Sequence, residues 1–369
     1  MDCKIKEEGN EIGTIKWYKQ IVPIAIYADK TVLGYKNGWL CKMSVSGEIT
    51  KICPFFRTFV DRVKESSRLT SRMFRTDVKT SCILPCGDVY FFKNKTLYRY
   101  VDKTLKLEKV TSLQQGASTP LNITPALENS EYRVFWGDYF GNSDRKEVGI
   151  WGVDNNGTSA LVYRFPAGSV RHIHNIVRDN ERKGYFILTG DNDPQAGIYY
   201  SDACFSKVEP IFIGVQQARA VQGFVVDGTF LYATDSVSEQ NFICKLEKDG
   251  EWIHKVVVPI NGSCIYATRR GSTNYFSTTV ESPEVDGHNK LMAMLSTKRG
   301  SGILSNDVEI VSVDKDFECK IIATFKKDAL PYKLFQYGAI TFPSALCANL
   351  VLYPVGVKKY DGVLGVLDL

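Results

Sequence analysis

Short runs of β-branched and aromatic residues, parted by turns of Gly, Asn or Asp, recur along almost the whole chain, and a sustained helical period is nearly absent. That pattern is the signature of consecutive antiparallel strands joined by tight turns. Residues 22–27, 31–36, 38–45 and 49–53 form the first set, separated by Ala28-Asp29-Lys30, Asn37 and Ser46-Gly47. They predict one four-stranded meander. Comparable sets cover 70–112, 120–168, 170–213, 217–258 and 263–325, at a spacing of about 45 residues. Outer hairpins such as 149–153 with 160–165, around Asp154-Asn155-Asn156-Gly157, mark their edges.

A repeat of this length fits a propeller blade, a four-stranded sheet that buries its faces by stacking on its neighbours around an axis. Strands over 337–342, 348–353 and 363–367 supply three members of a seventh unit, while 13–18 is a strand with no unit of its own. Pairing the two closes the ring and leaves no exposed edge. The expected fold is therefore all-β, a seven-bladed β-propeller with six blades as the alternative. It spans 1–369 as one domain, closed by an N-terminal strand, with the first 12 residues flexible. Apolar spacing at Phe56, Phe59, Val60 and Val63 predicts a helical turn or two within 56–72, and 326–334 is a second candidate.

With 369 residues and 44% hydrophobic content the chain can bury a large core. Lys plus Arg number 46 against 41 Asp plus Glu, and the net charge of +5 forms no basic stripe, so nucleic acid is not an expected partner. The start, Met1-Asp2-Cys3-Lys4, is charged and lacks a signal-like apolar run. No stretch approaches the roughly 18 apolar residues of a membrane span. The chain reads as cytoplasmic. Ten cysteines scattered through strand patterns, without zinc or disulfide spacing, read as reduced core residues. The sequons at Asn94, Asn122, Asn156 and Asn261 are then chance matches; export with a leader removed is the alternative.

In a propeller, polar residues at the inner strand ends of successive blades converge on the channel mouth, far apart in sequence though they are. The candidates are Arg75, Trp136-Gly137-Asp138-Tyr139, Arg171-His172-Ile173-His174, Thr189-Gly190-Asp191, Arg219, Thr234-Asp235, Thr278-Thr279-Val280-Glu281 and Phe335-Gln336-Tyr337-Gly338. His172 and His174 alternate on one strand and share a face, which suits a metal, a proton relay, a sugar, or a structural pair bonded to neighbouring blades. With two histidines and no third ligand in register, no metal is expected, and no cofactor either. Asp191 reads as a general acid or base, or as a turn cap. Glu281 ends an apolar strand, where a carboxyl is costly unless it serves a site or pairs with a cation such as Arg219. Trp136 and Tyr139 could stack on a sugar or pack the wall.

These runs, together with Gln217-Ala218-Arg219-Ala220-Val221, Thr234-Asp235-Ser236 and Glu239-Gln240-Asn241, resemble the sialidase-like, BNR-repeat propellers of bacterial capsule and O-antigen clusters, often labelled glycosyl hydrolases. The chain departs from true sialidases. Its Asp-box-like turn, Ser201-Asp202-Ala203-Cys204-Phe205-Ser206-Lys207-Val208, lacks the glycine and tryptophan of that motif, and no N-terminal Arg-Ile-Pro motif is present. The resemblance implies a carbohydrate-active, glycoside hydrolase-like protein of surface-polysaccharide metabolism. Asp191 and Glu281 would be acid and base or nucleophile, with His172 and His174 beside them. Arg75, Arg171 and Arg219 would bind an acidic glycan or precursor, with Trp136, Asp138, Tyr139, Asp235 and Gln336 around it. A non-catalytic glycan-binding or assembly protein is the alternative. A polysaccharide lyase with His172 or His174 as base is the third reading.

Overall fold

In the computed structural model, which describes residues 3–7, 10–18, 21–283 and 294–367, the chain forms seven sheets arranged as the blades of a propeller. Blades 1 to 6 span 22–54, 81–112, 124–165, 172–213, 220–260 and 264–326. Each is a four-stranded antiparallel meander whose first strand is innermost. The first meander, expected at 22–27, 31–36, 38–45 and 49–53, is observed as Val22–Ile26, Val32–Lys36, Trp39–Met43 and Ile49–Pro54. Blade 2 begins later than expected, at Ser81, because Phe59–Lys64 and Arg68–Phe74 are short helices between blades 1 and 2. Capping boxes at Thr58/Asp61 and Ser67/Thr70 start both.

The strands are apolar on both faces because each face meets another blade. In blade 2, Val89 and Phe91 pack toward blade 1 with Tyr35 and Phe55, while Tyr90 and Phe92 pack toward blade 3 with Val134 and Trp136. In blade 4, Tyr185 and Ile187 face blade 3, and Phe186 and Leu188 face blade 5. Among the described residues the buried apolar side chains fall into seven clusters, one at each seam of the ring. Strand alternation thus divides each blade's side chains between two neighbours.

Blade 7 takes strands from both ends of the chain: Ala339–Thr341, Leu350–Val355 and Leu364–Leu367 are followed outward by Asn10–Tyr18 and then Cys3–Glu7. Ile15 pairs with Leu367 and Tyr18 with Leu364. The strand expected at 13–18 therefore closes the ring, and it begins earlier. Of the first 12 residues, expected to be flexible, Cys3–Glu7 and Asn10 onward are strand residues paired to one another, while Met1, Asp2, Glu8 and Gly9 lie outside the described residues. Ile15 is fully buried between blades 6 and 7, and Trp17 stacks on Tyr360 with ring centroids 4.0 Å apart. Ser344–Ala345 adds a parallel pairing to the inner strand of blade 1, tying blades 7 and 1 together at the channel. No helix among the described residues is long and apolar enough to cross a membrane.

Because the closing strand fills the last seam, deletion of residues 1–18 is expected to abolish cooperative unfolding, as read by circular dichroism during a thermal melt. Ile15→Ala should keep the fold and cost about 2–5 kcal/mol in denaturant titration, the range for truncating a buried isoleucine. A wild-type midpoint in either variant would show that the ring closes without this strand.

Candidate functional site

Residues just before each inner strand and just after the second strand of each blade gather at one end of the channel. In blade 4 these positions hold Arg171 and Asp191, in blade 5 Arg219 and Asp235, and in blade 6 Ser263 and Thr279 with Glu281. The backbone repeats the arrangement: Asp235 N donates to Arg219 O at 2.9 Å, and Thr279 N to Ser263 O at 2.7 Å. Equivalent positions therefore carry different chemistry on one scaffold.

The histidine pair sits where the inner strand of blade 4 is irregular. His172 pairs with Gly190 and Ile173 with Thr189, but Asn175 pairs with Leu188, so His174 is the extra residue of a β-bulge. A bulge re-aims a side chain, and here it brings His174 Nε2 to 3.1 Å from His172 Nε2. Both lie against Asp191 Oδ1, at 3.2 Å from His172 and 3.1 Å from His174. Glycine is required at position 190, since a Cβ there would stand 2.2 Å from His174 Cε1. Tyr139, reaching in from blade 3, stacks at a tilt on His172 with centroids 4.5 Å apart.

Asp191 is also the meeting point of two guanidiniums. Arg171 Nη1 lies 3.3 Å from its Oδ2 and Arg219 Nη2 3.5 Å from its Oδ1, while Arg219 Nη1 donates to the Asp191 carbonyl at 3.1 Å. Burial would raise the Asp191 carboxyl, but hydrogen bonds from the two imidazoles when Nε2 carries a proton, together with their charge, outweigh it and hold the group well below the usual carboxylate range. Burial pushes the His174 imidazole down.

Two further carboxyls behave oppositely. Asp235 is 5% exposed, with Arg219 Nε 3.5 Å from Oδ2, and its Oδ1 has no hydrogen-bond partner among the described residues. Burial pushes it well above the ordinary value against the pull of Arg219, and the nearby Glu281 and Asp191 charges add to the rise. Glu281 accepts from Ser263 Oγ at 2.9 Å and Thr279 Oγ1 at 2.5 Å; burial raises it too, more than these bonds lower it. The mouth thus holds one carboxyl kept well below the usual range beside two raised above it, an arrangement suited to acid–base work.

Of the expected site residues, the fold brings together Tyr139, Arg171, His172, His174, Asp191, Arg219, Asp235 and Glu281. Of the other four, Trp136 and Asp138 go elsewhere, and Arg75 and Gln336 lie to one side, beside Lys79. Trp136 is 3% exposed in the seam between blades 2 and 3, packed edge-on against Phe92, because both faces of its strand are seam faces. Asp138 is spent within its blade, accepting from Gly149 N at 2.8 Å and Trp151 Nε1 at 2.9 Å. Arg75 caps the helix Arg68–Phe74 in a left-handed conformation, is exposed, and reaches Lys333 O at 3.4 Å. Gln336 is buried, bonded through Nε2 to Arg72 O at 2.9 Å and accepting from Lys79 Nζ.

Sequence reasoning missed Lys79, Ser263 and Tyr266, and named Tyr337 only as part of the run Phe335-Gln336-Tyr337-Gly338. Tyr266 and Tyr337 hydroxyls lie 3.4 Å apart beside Glu281, and burial within the channel wall pulls the Lys79 ammonium down to about 8. Ser263 occupies in blade 6 the place of Arg219 in blade 5, so aligning the blades by inner-strand start would have found it. The expectation of no third ligand beside the histidines also needs correction. Asp191 Oδ1, from the neighbouring strand, lies within 4.8 Å of both ring nitrogens.

No protein-family model and no curated protein matches this chain. Solved structures of similar architecture include virginiamycin B lyase from Staphylococcus aureus, at 12% identity and TM-score 0.57, with 96% of this chain and 99% of that one covered. Oligogalacturonate lyase from Vibrio parahaemolyticus aligns at 8% identity and TM-score 0.56, covering 100% and 96%, as does an oligogalacturonate lyase in complex with manganese. A chain of the mitotic checkpoint complex aligns at 10% identity and TM-score 0.55, covering 96% and 93%. Such distant likeness across unrelated activities identifies the architecture alone: this chain has the fold of a seven-bladed β-propeller.

Proposed function

We propose that the channel mouth binds an acidic sugar or glycan precursor and acts on it by acid–base chemistry. The observation that carries this reading is the meeting of guanidiniums and proton-holding carboxyls at one end of the channel. Arg219 is nearly buried and engaged with Asp191 and Asp235, so its role is to position them. Arg171 is 30% exposed and meets Asp191 through Nη1, so Arg171 is the anchor open to a forked contact with a sugar carboxylate. Glu281 is the general acid at the glycosidic oxygen, with Asp235 next to it holding the proton in reserve. Tyr139, Tyr266 and Tyr337 offer hydroxyls and ring faces to the sugar. The resemblance to sialidase-like propellers of surface-polysaccharide clusters supports the same substrate class. Cys41 and the eight cysteines that follow it are unpaired, which suits a reducing cytoplasmic setting.

Eliminative cleavage of a uronic acid is the second reading. A depressed Lys79 ammonium, buried near Arg75, Arg68 and Arg72 and over the Tyr337 ring, favours it, because elimination needs a base. Two of the structural neighbours carry the name oligogalacturonate lyase. Elimination leaves an unsaturated product that absorbs in the ultraviolet, whereas hydrolysis leaves a new reducing end without that absorbance.

Arg171→Lys should weaken an acidic oligosaccharide by about 1–3 kcal/mol in calorimetry and leave neutral sugars unchanged, since the charge stays while the forked hydrogen bonds are lost. Unchanged affinity for uronic and sialic-type sugars would sink the anchor role. Glu281→Gln should lower turnover about 100-fold or more with binding intact; equal turnover would remove Glu281 from the chemistry, and no turnover by wild type would leave a binding protein.

Stability provides a separate check on the Glu281 proton. Its folded-state value lies above the unfolded one. Below the unfolded value both states are protonated and there is no cost. As pH rises, the unfolded state ionises first and the folded state loses relative stability. Glu281→Gln should therefore melt higher than wild type near neutral pH, with the gain vanishing near pH 4. A gain that grows on acidification would contradict the assignment.

A further inference from the structure

Each histidine at the mouth is fixed by a backbone carbonyl on its far side. His172 Nδ1 lies 3.1 Å from Phe140 O, and His174 Nδ1 2.8 Å from Ala220 O. A carbonyl oxygen can only accept, so both Nδ1 atoms carry hydrogen, and in its neutral form each ring turns a bare Nε2 lone pair the other way. Those lone pairs face one another at 3.1 Å and face Asp191 Oδ1 at 3.2 and 3.1 Å. Three Lewis bases converge with no donor among them. One added proton on a ring would serve two of the three contacts and leave the third repulsive. Two would set buried cations against each other.

We propose that these three atoms, His172 Nε2, His174 Nε2 and Asp191 Oδ1, bind one divalent first-row transition-metal ion. The donors form a nearly equilateral triangle, whose centre is about 1.8 Å from each corner. An ion at the usual distance of ~2.1 Å then sits about 1 Å out of the donor plane, with ligand–metal–ligand angles of roughly 95°. That is the facial two-histidine, one-carboxylate arrangement, which suits iron, manganese, cobalt or zinc and leaves coordination positions for water or substrate.

The surroundings have the form of a metal site. The carbonyls of Phe140 and Ala220 fix both tautomers, and Arg171 holds the other Asp191 oxygen. The guanidiniums of Arg171 and Arg219 oppose a cation. The Asp191 carboxylate offsets one of them, and Asp235 Oδ1 is a buried acceptor in want of a partner. The inference stands on donor geometry and goes beyond the sugar reading without depending on it.

The test uses the full chain, free of any polyhistidine tag and stripped with a chelator, titrated with Mn²⁺, Co²⁺ and Zn²⁺ by calorimetry and, for cobalt, followed in the visible spectrum. One ion per chain with cobalt ligand-field bands is expected. Affinity should fall by at least about 100-fold in His174→Ala and by about 10-fold in Asp191→Asn. Absence of heat and of cobalt bands with all three ions in wild type would assign the cluster to a shared proton only and overturn the proposal. So would unchanged affinity in a His172→Ala/His174→Ala double variant, because the ion would then be bound elsewhere. Wild type alone can fail, so a variant that does not fold gives no shelter. Acidic-sugar binding by the stripped protein is read in parallel, and that reading stands or falls separately.

Discussion

Every blade is a sheet with two apolar faces, and neither can be left in water. Val89 and Phe91 serve one seam of blade 2 and Tyr90 and Phe92 the other, and the same division runs through blade 4. A sheet of this kind is not an independent unit. Its free energy comes from contact with the blade before and the blade after, and so the arrangement has to come full circle. The seams also fix the blades' relative angle, and the loops at the inner strand ends inherit that precision. The mouth is therefore a rigid site although it is made of loops.

At that mouth the scaffold concentrates charge that no single blade could hold. Arg219 touches Asp191 of the preceding blade and Asp235 of its own. Removing any one of these groups would leave another buried and uncompensated, which is why the cluster behaves as a unit. The result is a graded set of carboxyls, one held well below the ordinary range and two raised above it, produced by burial and by which neighbours each happens to meet.

The fold was largely legible because a propeller's signals are local: strand, turn and strand, repeated, each readable within a dozen residues. Even the helical spacing at Phe59, Val60 and Val63 was visible. The extra pairing of Ser344–Ala345 was not, since a two-residue parallel bridge has no periodicity. Site residues were legible in proportion to their distance from strand interiors. Arg171, Asp191, Arg219, Asp235 and Glu281 lie at or beyond strand ends and do converge, whereas Trp136 lies within a strand and goes to a seam. Asp138 shows a further limit. It lies at a strand end, but its acceptors are already taken by Gly149 and Trp151, which only coordinates reveal. The bulge at His174 is likewise silent in the sequence, and it creates the three-atom cluster with Asp191.

Blade 7 mixes the two ends of the chain, with Tyr18 hydrogen-bonded beside Leu364. On a ribosome, Asn10–Tyr18 emerges ahead of the blades and, beyond its hairpin with Cys3–Glu7, finds no partner until Leu364–Leu367 has followed. At ~5–20 residues per second that wait lasts about 20–70 s. Throughout it, blade 1 presents one uncovered face and the newest blade another, so the nascent chain is a growing stack with two sticky ends. Vectorial synthesis can build the blades one at a time, but it cannot finish the molecule. The last event is a long-range capture of the earliest-made hairpin, and during the wait a holdase chaperone, or a second nascent chain offering the wrong end, would compete for the same surface.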